Sequence, residues 1–290
     1  MVHYGPGGSY DLYSRALAPV VSKILGTDVI VENKGGGGGV IGATYLWDAK
    51  PDGYTVGLLD LSRLTVNQMV MEVPYDIQKF SWLPQVALAK FTVAVAGDSS
   101  INSIDELRAL GLQRPIRVAC SDVGRTEIVT MNGLDIEHTF VSGHGSNLES
   151  TEAVIRGDAD IVVYSTPTLA QWYLSGDMKP ILVFSDTADQ DLIDMGITGV
   201  ETSKDVGYPQ LSAMVSARVL AGPPGLPDDI YEALNEAFWD ALDDAELLAW
   251  AEASSKPVVA APADGVTDLV DLTYNMFSPY EDLLKEYLGG

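Results

Sequence analysis

The chain has 290 residues, with 41 acidic and 17 basic side chains, and its formal net charge is −24. A field of that sign repels phosphate backbones and anionic lipid, so nucleic acid and membrane surfaces are poor partners for this chain. The apolar fraction of 47% is that of a globular protein, and the length accommodates two domains.

Short apolar runs alternate with longer stretches of helical periodicity, which predicts an α/β fold with largely parallel strands. Strands are predicted at residues 29–31, 54–59, 91–96, 116–120, 139–141, 161–164, 179–184 and 213–220. Helices are predicted near residues 12–24, 40–49, 104–111, 147–156 and 167–174, and from Pro227 onward. Gly26 is placed to stop the first helix, and Ser103 to Glu106 has the form of a capping box.

Metal-binding and catalytic patterns are missing from the sequence. Cys120 is the single cysteine and ends an apolar run, which predicts a buried thiol. The three histidines, His3, His138 and His144, have no metal-ligand spacing, and there is no nucleophile elbow. We therefore expect no metal, no cofactor and no catalytic residue.

The glycine-rich segment Gly5-Pro6-Gly7-Gly8-Ser9-Tyr10-Asp11 lies between a predicted strand end and a predicted helix start. Such a loop presents backbone N–H groups and the positive end of a helix dipole to an anion, although it can also be a simple tight turn. It is neither a P-loop nor a G-x-G-x-x-G motif.

Several motifs in order along the chain resemble one known family. The succession Gly-Pro-Gly-Gly-x-x-Asp-x-x-x-Arg (5–15), Val-Glu-Asn-Lys (31–34), a glycine run ending in Ile-Gly-Ala (41–43) and Pro-Asp-Gly-Tyr-Thr (51–55) resembles the receptors of tripartite tricarboxylate transporters, called TctC-like or Bug proteins. Pro-Tyr-Asp (74–76), Gly-Asp-Ala-Asp (157–160) and Ala-Gly-Pro-Pro-Gly-Leu-Pro (221–227) extend the resemblance over nearly the whole chain.

The resemblance implies a type II periplasmic-binding-protein fold, in which crossing strands join two α/β lobes and a ligand cleft lies between them. It implies a monomeric periplasmic or extracytoplasmic protein that captures a small organic carboxylate and delivers it to membrane subunits of the transporter. No signal peptide is visible in the sequence itself. The ligand-binding residues implied by the family's loops are Gly7, Gly8, Ser9, Tyr10, Asp11, Leu61, Ser62, Ser121, Gly124, Arg125, Thr126, Gly143, His144, Gly145, Ser146, Asn147, Ser165 and Thr166.

We expect residues 1–96 and 213–290 to form one lobe and residues 97–212 to form the other. Two alternatives to a transport receptor stay open. One is an α/β enzyme on a similar two-lobe scaffold, and the other is a sensory domain that serves a signalling partner.

Four side chains depart from the family pattern or have an uncertain role. Tyr10 either enters the pocket or packs on the outside of the loop. Arg63 either pairs with a ligand carboxylate or, as we favour, with Asp60. His144 either donates to the ligand or is merely exposed. For Asp11, capping the first helix and ordering the loop amides is favoured over contact with the ligand.

Overall fold

The computed structural model describes residues 1–121, 123–254 and 256–289. The chain forms two compact units, unit 1 with residues 1–88 and 216–275 and unit 2 with residues 89–215 and 276–290. The chain passes between them within two strands and again at the end of a helix, after residue 275. These bounds differ from the lobes expected from the sequence, because residues 89–96, 213–215 and 276–290 belong to unit 2. The independence of the two predicted lobes stays a prediction.

The described chain contains strands and helices in alternation. The strands are β1 (Gly57–Asp60), β2 (Ser81–Ala96), β3 (Ile116–Ala119), β4 (His138–Val141), β5 (Val162–Ser165), β6 (Met178–Val183), β7 (Glu201–Thr202) and β8 (Val215–Gly222). The helices are α1 (Ser9–Leu25), α2 (Val40–Trp47), α3 (Leu61–Val70), α4 (Ile104–Gly111), α5 (Arg125–Gly133), α6 (Asn147–Ile155), α7 (Thr166–Ser175), α8 (Gln190–Asp194), α9 (Asp228–Leu242), α10 (Ala245–Ala253), α11 (Ala263–Phe277) and α12 (Glu281–Leu288). None of these described helices is long and apolar enough to cross a membrane.

Unit 1 is organised around three parallel extended segments. Val2 forms bridges to Asn33 on one side and to Leu58 of β1 on the other, and both bridges are parallel. β1 also pairs in antiparallel register with β8, which lies next to β2. A core that includes Leu17, Val21 and Phe238 packs α1 and α9 against these strands.

Unit 2 contains the parallel two-stranded sheet of β3 and β4 together with strands that join the sheet of β2. β3 pairs in parallel with β4, and Val118 of β3 forms a parallel bridge to Ile161, next to β5. The second half of β2 runs antiparallel between β5 and β6, and β7 pairs in parallel with β6. The core includes Val154, Leu169 and Leu192 from α6, α7 and α8, and all three side chains are buried.

The predicted helix near residues 12–24 is confirmed, because α1 ends at Gly26 in a left-handed conformation with φ of 66°. The predicted cap at Ser103 is confirmed, since its hydroxyl accepts a hydrogen bond from the Glu106 amide, whereas the Glu106 carboxylate accepts from the Asn102 amide and not from that of Ser103. The prediction of largely parallel strands holds only in part. β8 runs antiparallel to β1, and the second half of β2 runs antiparallel to β5 and β6.

Candidate functional site

In unit 1, three extended segments end at the same edge and lead into helices. The Val2 amide donates to the Glu32 carbonyl at 2.8 Å, and the Leu58 amide donates to the Met1 carbonyl at 3.1 Å. Because the segments are parallel, their carboxyl ends lie side by side. We call the loops and helix starts that follow, residues 5–11, 34–40 and 60–63, the unit 1 edge.

The start of α1 is held by a carboxylate from its own first turn. Asp11 is buried, and its Oδ2 accepts hydrogen bonds from the Gly7 amide at 2.8 Å and from Arg15 Nε at 3.0 Å. The Arg15 hydrogen bond, followed by that of the Gly7 amide, lowers the pKa of Asp11 to about 2. The ordering of the loop by Asp11 is thus confirmed. The capping role is wrong, because the N-cap residue is Gly8.

Since Asp11 takes the Gly7 N–H, the donors that α1 can offer to a ligand come from the first turn that begins at Ser9. The Tyr10 side chain is buried beneath this turn, with its ring 4.9 Å from that of Tyr4. It therefore does not pack on the outside of the loop.

At the start of α3, one of the backbone amides is already hydrogen bonded to the side chain of the N-cap residue. Asp60 Oδ1 accepts from the Arg63 amide at 3.1 Å, and the Leu61 and Ser62 side chains are both buried. A methyl group at Gly38 would lie 3.6 Å from Arg63 Nε, so the guanidinium rests against the glycine run. The favoured ion pair between Arg63 and Asp60 stays a prediction.

In unit 2, the parallel strands β4, β3 and β5 also end at a common edge. The helices α6, α5 and α7 start there, in that order across the sheet. We call the connecting residues 121–127, 142–149 and 165–168 the unit 2 edge; within it, residue 122 lies outside the described residues.

Hydrogen bonds tie two of these loops together. The Gly143 amide donates to the Ser121 carbonyl at 3.1 Å, and Ser121 Oγ lies 3.4 Å from Asn147 Oδ1. The loops after β3 and β4 are therefore neighbours.

The helix starts of the unit 2 edge differ in how they are capped. In α6 the Ser146 hydroxyl accepts from the Glu149 amide, and Glu149 Oε2 accepts from the Gly145 amide at 2.7 Å. In α5 the N-cap residue is Gly124, which has no side chain to do this. In α7 the Ser165 hydroxyl is hydrogen bonded to the Thr168 hydroxyl at 2.8 Å and not to a backbone amide.

The remaining predicted residues of the unit 2 edge have distinct surroundings. Thr126 and Thr166 are buried, and Thr166 Oγ1 lies 3.4 Å from the Lys90 carbonyl. His144 is half-buried, and its Nε2 is a buried atom with no hydrogen-bond partner within the described ranges. The predicted site residues thus form two groups, one at each edge.

Two side chains next to the unit 1 edge were missed by the sequence analysis. His3 is fully buried beneath the helix starts. Arg218, on β8 opposite Asp60, has its guanidinium carbon 5.0 Å from the centre of the Tyr10 ring. Neither lies in a loop or motif, and each falls in a stretch that resembles an ordinary strand, so no local signal marks them.

This architecture is that of periplasmic solute-binding proteins. The structure of a TctC solute-binding protein from Polaromonas matches with a TM-score of 0.82 at 20% identity, over 98% of this chain and 96% of that one. MatC from Rhodopseudomonas palustris, solved with bound malate, matches with a TM-score of 0.71 at 19% identity, over 97% of this chain and 96% of that one. The expected fold is confirmed.

The chain belongs to the tripartite tricarboxylate transporter receptor family, whose model matches residues 13–269. The protein BugT of Bordetella pertussis is 28% identical over 278 residues, which cover 90% of this chain and 81% of BugT. The resemblance seen in the sequence motifs is therefore confirmed, and it identifies the chain as a member of a family of periplasmic solute-binding receptors.

Proposed function

We propose that this protein captures a small organic carboxylate outside the cytoplasm and delivers it, chemically unchanged, to the membrane subunits of a tripartite tricarboxylate-type transporter. The family membership supports a receptor role. The malate bound to MatC supports a carboxylate as the ligand class.

The observation that carries the ligand class is the capping pattern at the two edges. α1 and α5 begin after glycine, and the Ser165 hydroxyl at the start of α7 is engaged elsewhere. The first-turn N–H groups of a helix have no intrahelical acceptor, so these three starts offer donors to an anion. By contrast, α3 and α6 are capped by Asp60 and Ser146.

Local donors also explain how a protein with a net charge of −24 can hold an anion. Water and salt screen the field of distant surface charges within about 10 Å, whereas hydrogen bonds act at contact distance. The buried Nε2 of His144, which is without a partner in the described part of the chain, adds a polar group at the unit 2 edge.

The first test is a thermal-shift screen with malate, citrate, adipate and benzoate, because a ligand that binds only the folded state raises the melting temperature as its concentration rises. We expect at least one of these compounds to raise it, and mass spectrometry to recover that compound unchanged. Conversion of the compound to a product would favour the enzyme alternative, and no shift with any carboxylate would contradict the proposal.

The second test removes a single amide donor. Proline is tolerated at the first position of a helix and lacks an N–H group. The preceding Gly8 already has the extended conformation that proline requires of its neighbour. We therefore expect Ser9→Pro to weaken binding about tenfold or more, which corresponds to the loss of one hydrogen bond to a charged group.

The matched control is Ala245→Pro at the exposed first position of α10, which follows Asp244 in an extended conformation. It should leave the affinity within about twofold. If Ser9→Pro behaved like this control, the start of α1 would not supply a donor to the ligand.

A further inference from the structure

The buried imidazole of His3 has both ring nitrogens engaged by the backbone of one segment. Nδ1 lies 2.9 Å from the Leu58 carbonyl oxygen, and Nε2 lies 3.1 Å from the Asp60 amide nitrogen. A carbonyl can only accept and an amide can only donate. The ring is therefore neutral, with its hydrogen on Nδ1, and it is the acceptor for the Asp60 amide.

The glycine run that precedes α2 makes room for this side chain. A Cβ atom at Gly39 would lie 2.6 Å from His3 Cδ2, and one at Gly42 would lie 2.5 Å from His3 Cα. Real side chains do not approach so closely, so the backbone of α2 packs directly on His3.

The imidazole also contacts the start of α1 through aromatic rings. Its centre lies 5.0 Å from the centre of the Tyr10 ring, in an edge-on arrangement, and 4.1 Å from that of the Tyr4 ring. Through Tyr10, Gly42 and Asp60, one side chain thus touches the beginnings of α1, α2 and α3.

We propose that His3 is a positioning residue for ligand binding: its neutral Nδ1–H form sets the relative placement of the three helix starts at the unit 1 edge. This role rests on the proposed carboxylate-binding function. It does not require His3 to touch the ligand, because the amide donors are those of the helices that it holds in place.

The groups around the imidazole keep it neutral. The charged groups that act on it are Asp60, at the N-cap of α3, and Arg63, in the first turn of α3. α1 and the preceding loop contribute the phenols of Tyr10 and Tyr4, and α2 contributes glycine backbone. Burial, only partly offset by Asp60, lowers the pKa of His3 to about 4. The geometry should therefore persist from pH 8 down to about 5.

Two substitutions separate positioning from simple packing. In His3→Gln the amide oxygen can reach the place of Nε2 and accept from the Asp60 amide. In His3→Asn the shorter side chain can replace Nδ1 as a donor to Leu58 but leaves the Asp60 amide without its acceptor. We expect His3→Asn to weaken binding about tenfold and His3→Gln to restore most of that loss, using whichever of malate, citrate, adipate or benzoate binds the wild type.

His138→Asn is the matched control, because His138 Nδ1 also lies near a carbonyl, that of Ile136, at 2.8 Å, but its ring packs on Phe140 in unit 2. It should leave the affinity within about twofold. Nitrogen-15 NMR of the ring should in addition find His3 neutral and protonated at Nδ1 from pH 8 to about 5.

Equal affinities of folded His3→Asn and wild-type protein would overturn the positioning role while leaving the carboxylate receptor intact. A ring protonated on Nε2, or charged above pH 5, would also overturn it. If the wild type bound none of the four carboxylates, the proposed function would fall and this role with it. A His3→Asn chain that failed to fold while His3→Gln folded and bound no better than about tenfold below wild type would overturn the proposal as well.

Discussion

The two edges are built from the same elements but are held by different kinds of contact. At the unit 1 edge the helix starts pack on buried groups, namely His3, Tyr10 and the Asp11 carboxylate. At the unit 2 edge the loops are joined by hydrogen bonds near the surface, such as those from the Gly145 amide to Glu149 and from the Gly143 amide to the Ser121 carbonyl.

Buried contacts and surface hydrogen bonds respond differently to substitution. Substitution of a buried residue creates a cavity, a clash or a polar group without a partner. Each of these lowers the free energy of unfolding. An exposed hydrogen bond can be replaced by water, so its removal costs little. Substitutions at the unit 1 edge should therefore alter stability and binding together, whereas those at the unit 2 edge should separate the two.

The largest effect should come from Gly42→Ala. The new Cβ would lie 2.5 Å from His3 Cα and 2.7 Å from the Lys34 carbonyl oxygen, and neither backbone atom can move aside cheaply. We expect a loss of about 3 kcal/mol in the free energy of unfolding, measured by urea denaturation, together with weaker ligand binding.

The control for this change is Gly5→Ala, because a Cβ at Gly5 would meet no atom within 4 Å. Its effect should stay within about 1 kcal/mol. If Gly42→Ala were as mild as Gly5→Ala, the glycine run would not be packed on His3, and the contrast between the edges would be lost.

An intermediate effect should come from Asp11→Asn, which keeps the size of the side chain but weakens its bonds to the Gly7 amide and Arg15. The loss at pH 7 should be about 1–2 kcal/mol, mainly from the amide bond, since Arg15 is half exposed and its ion pair is screened.

The pH dependence of this loss has a definite sign. Because the pKa of Asp11 falls from 3.8 to about 2 on folding, the carboxylate stabilises the native state above pH 4, and that contribution disappears as the pH falls through about 2. Urea midpoints of the wild type and Asp11→Asn should therefore converge between pH 4 and pH 2. A constant difference across that range would contradict the assigned bonds.

The smallest effect should come from Ser146→Ala at the unit 2 edge. Loss of the cap on the Glu149 amide should cost about 1 kcal/mol, as should the matched change Ser103→Ala in α4 of the same unit. Calorimetric titration should find the ligand affinity of both variants within about twofold of wild type. A tenfold loss confined to Ser146→Ala would instead assign the hydroxyl to the ligand, as the family resemblance implies.

Local signals in the sequence were sufficient for much of the fold. Gly26 ends α1, Ser103 caps α4, and Cys120 is buried, as expected from turn chemistry, capping and apolar patterning. β2 was predicted only in its second half, because Pro84 and polar residues interrupt the pattern of the first half. α3 was not predicted at all, and its start coincides with two predicted site residues, Leu61 and Ser62.

The sequence by itself determined the family, the α/β class and which loops precede helices, because glycine runs, caps and apolar periodicity act over a few neighbouring residues. Only the tertiary structure decided that His3 lies under three helix starts, where it contacts Tyr10, Gly42 and Asp60. These contacts join atoms up to 57 residues apart in the chain, as with His3 and Asp60. No local pattern encodes such a distance.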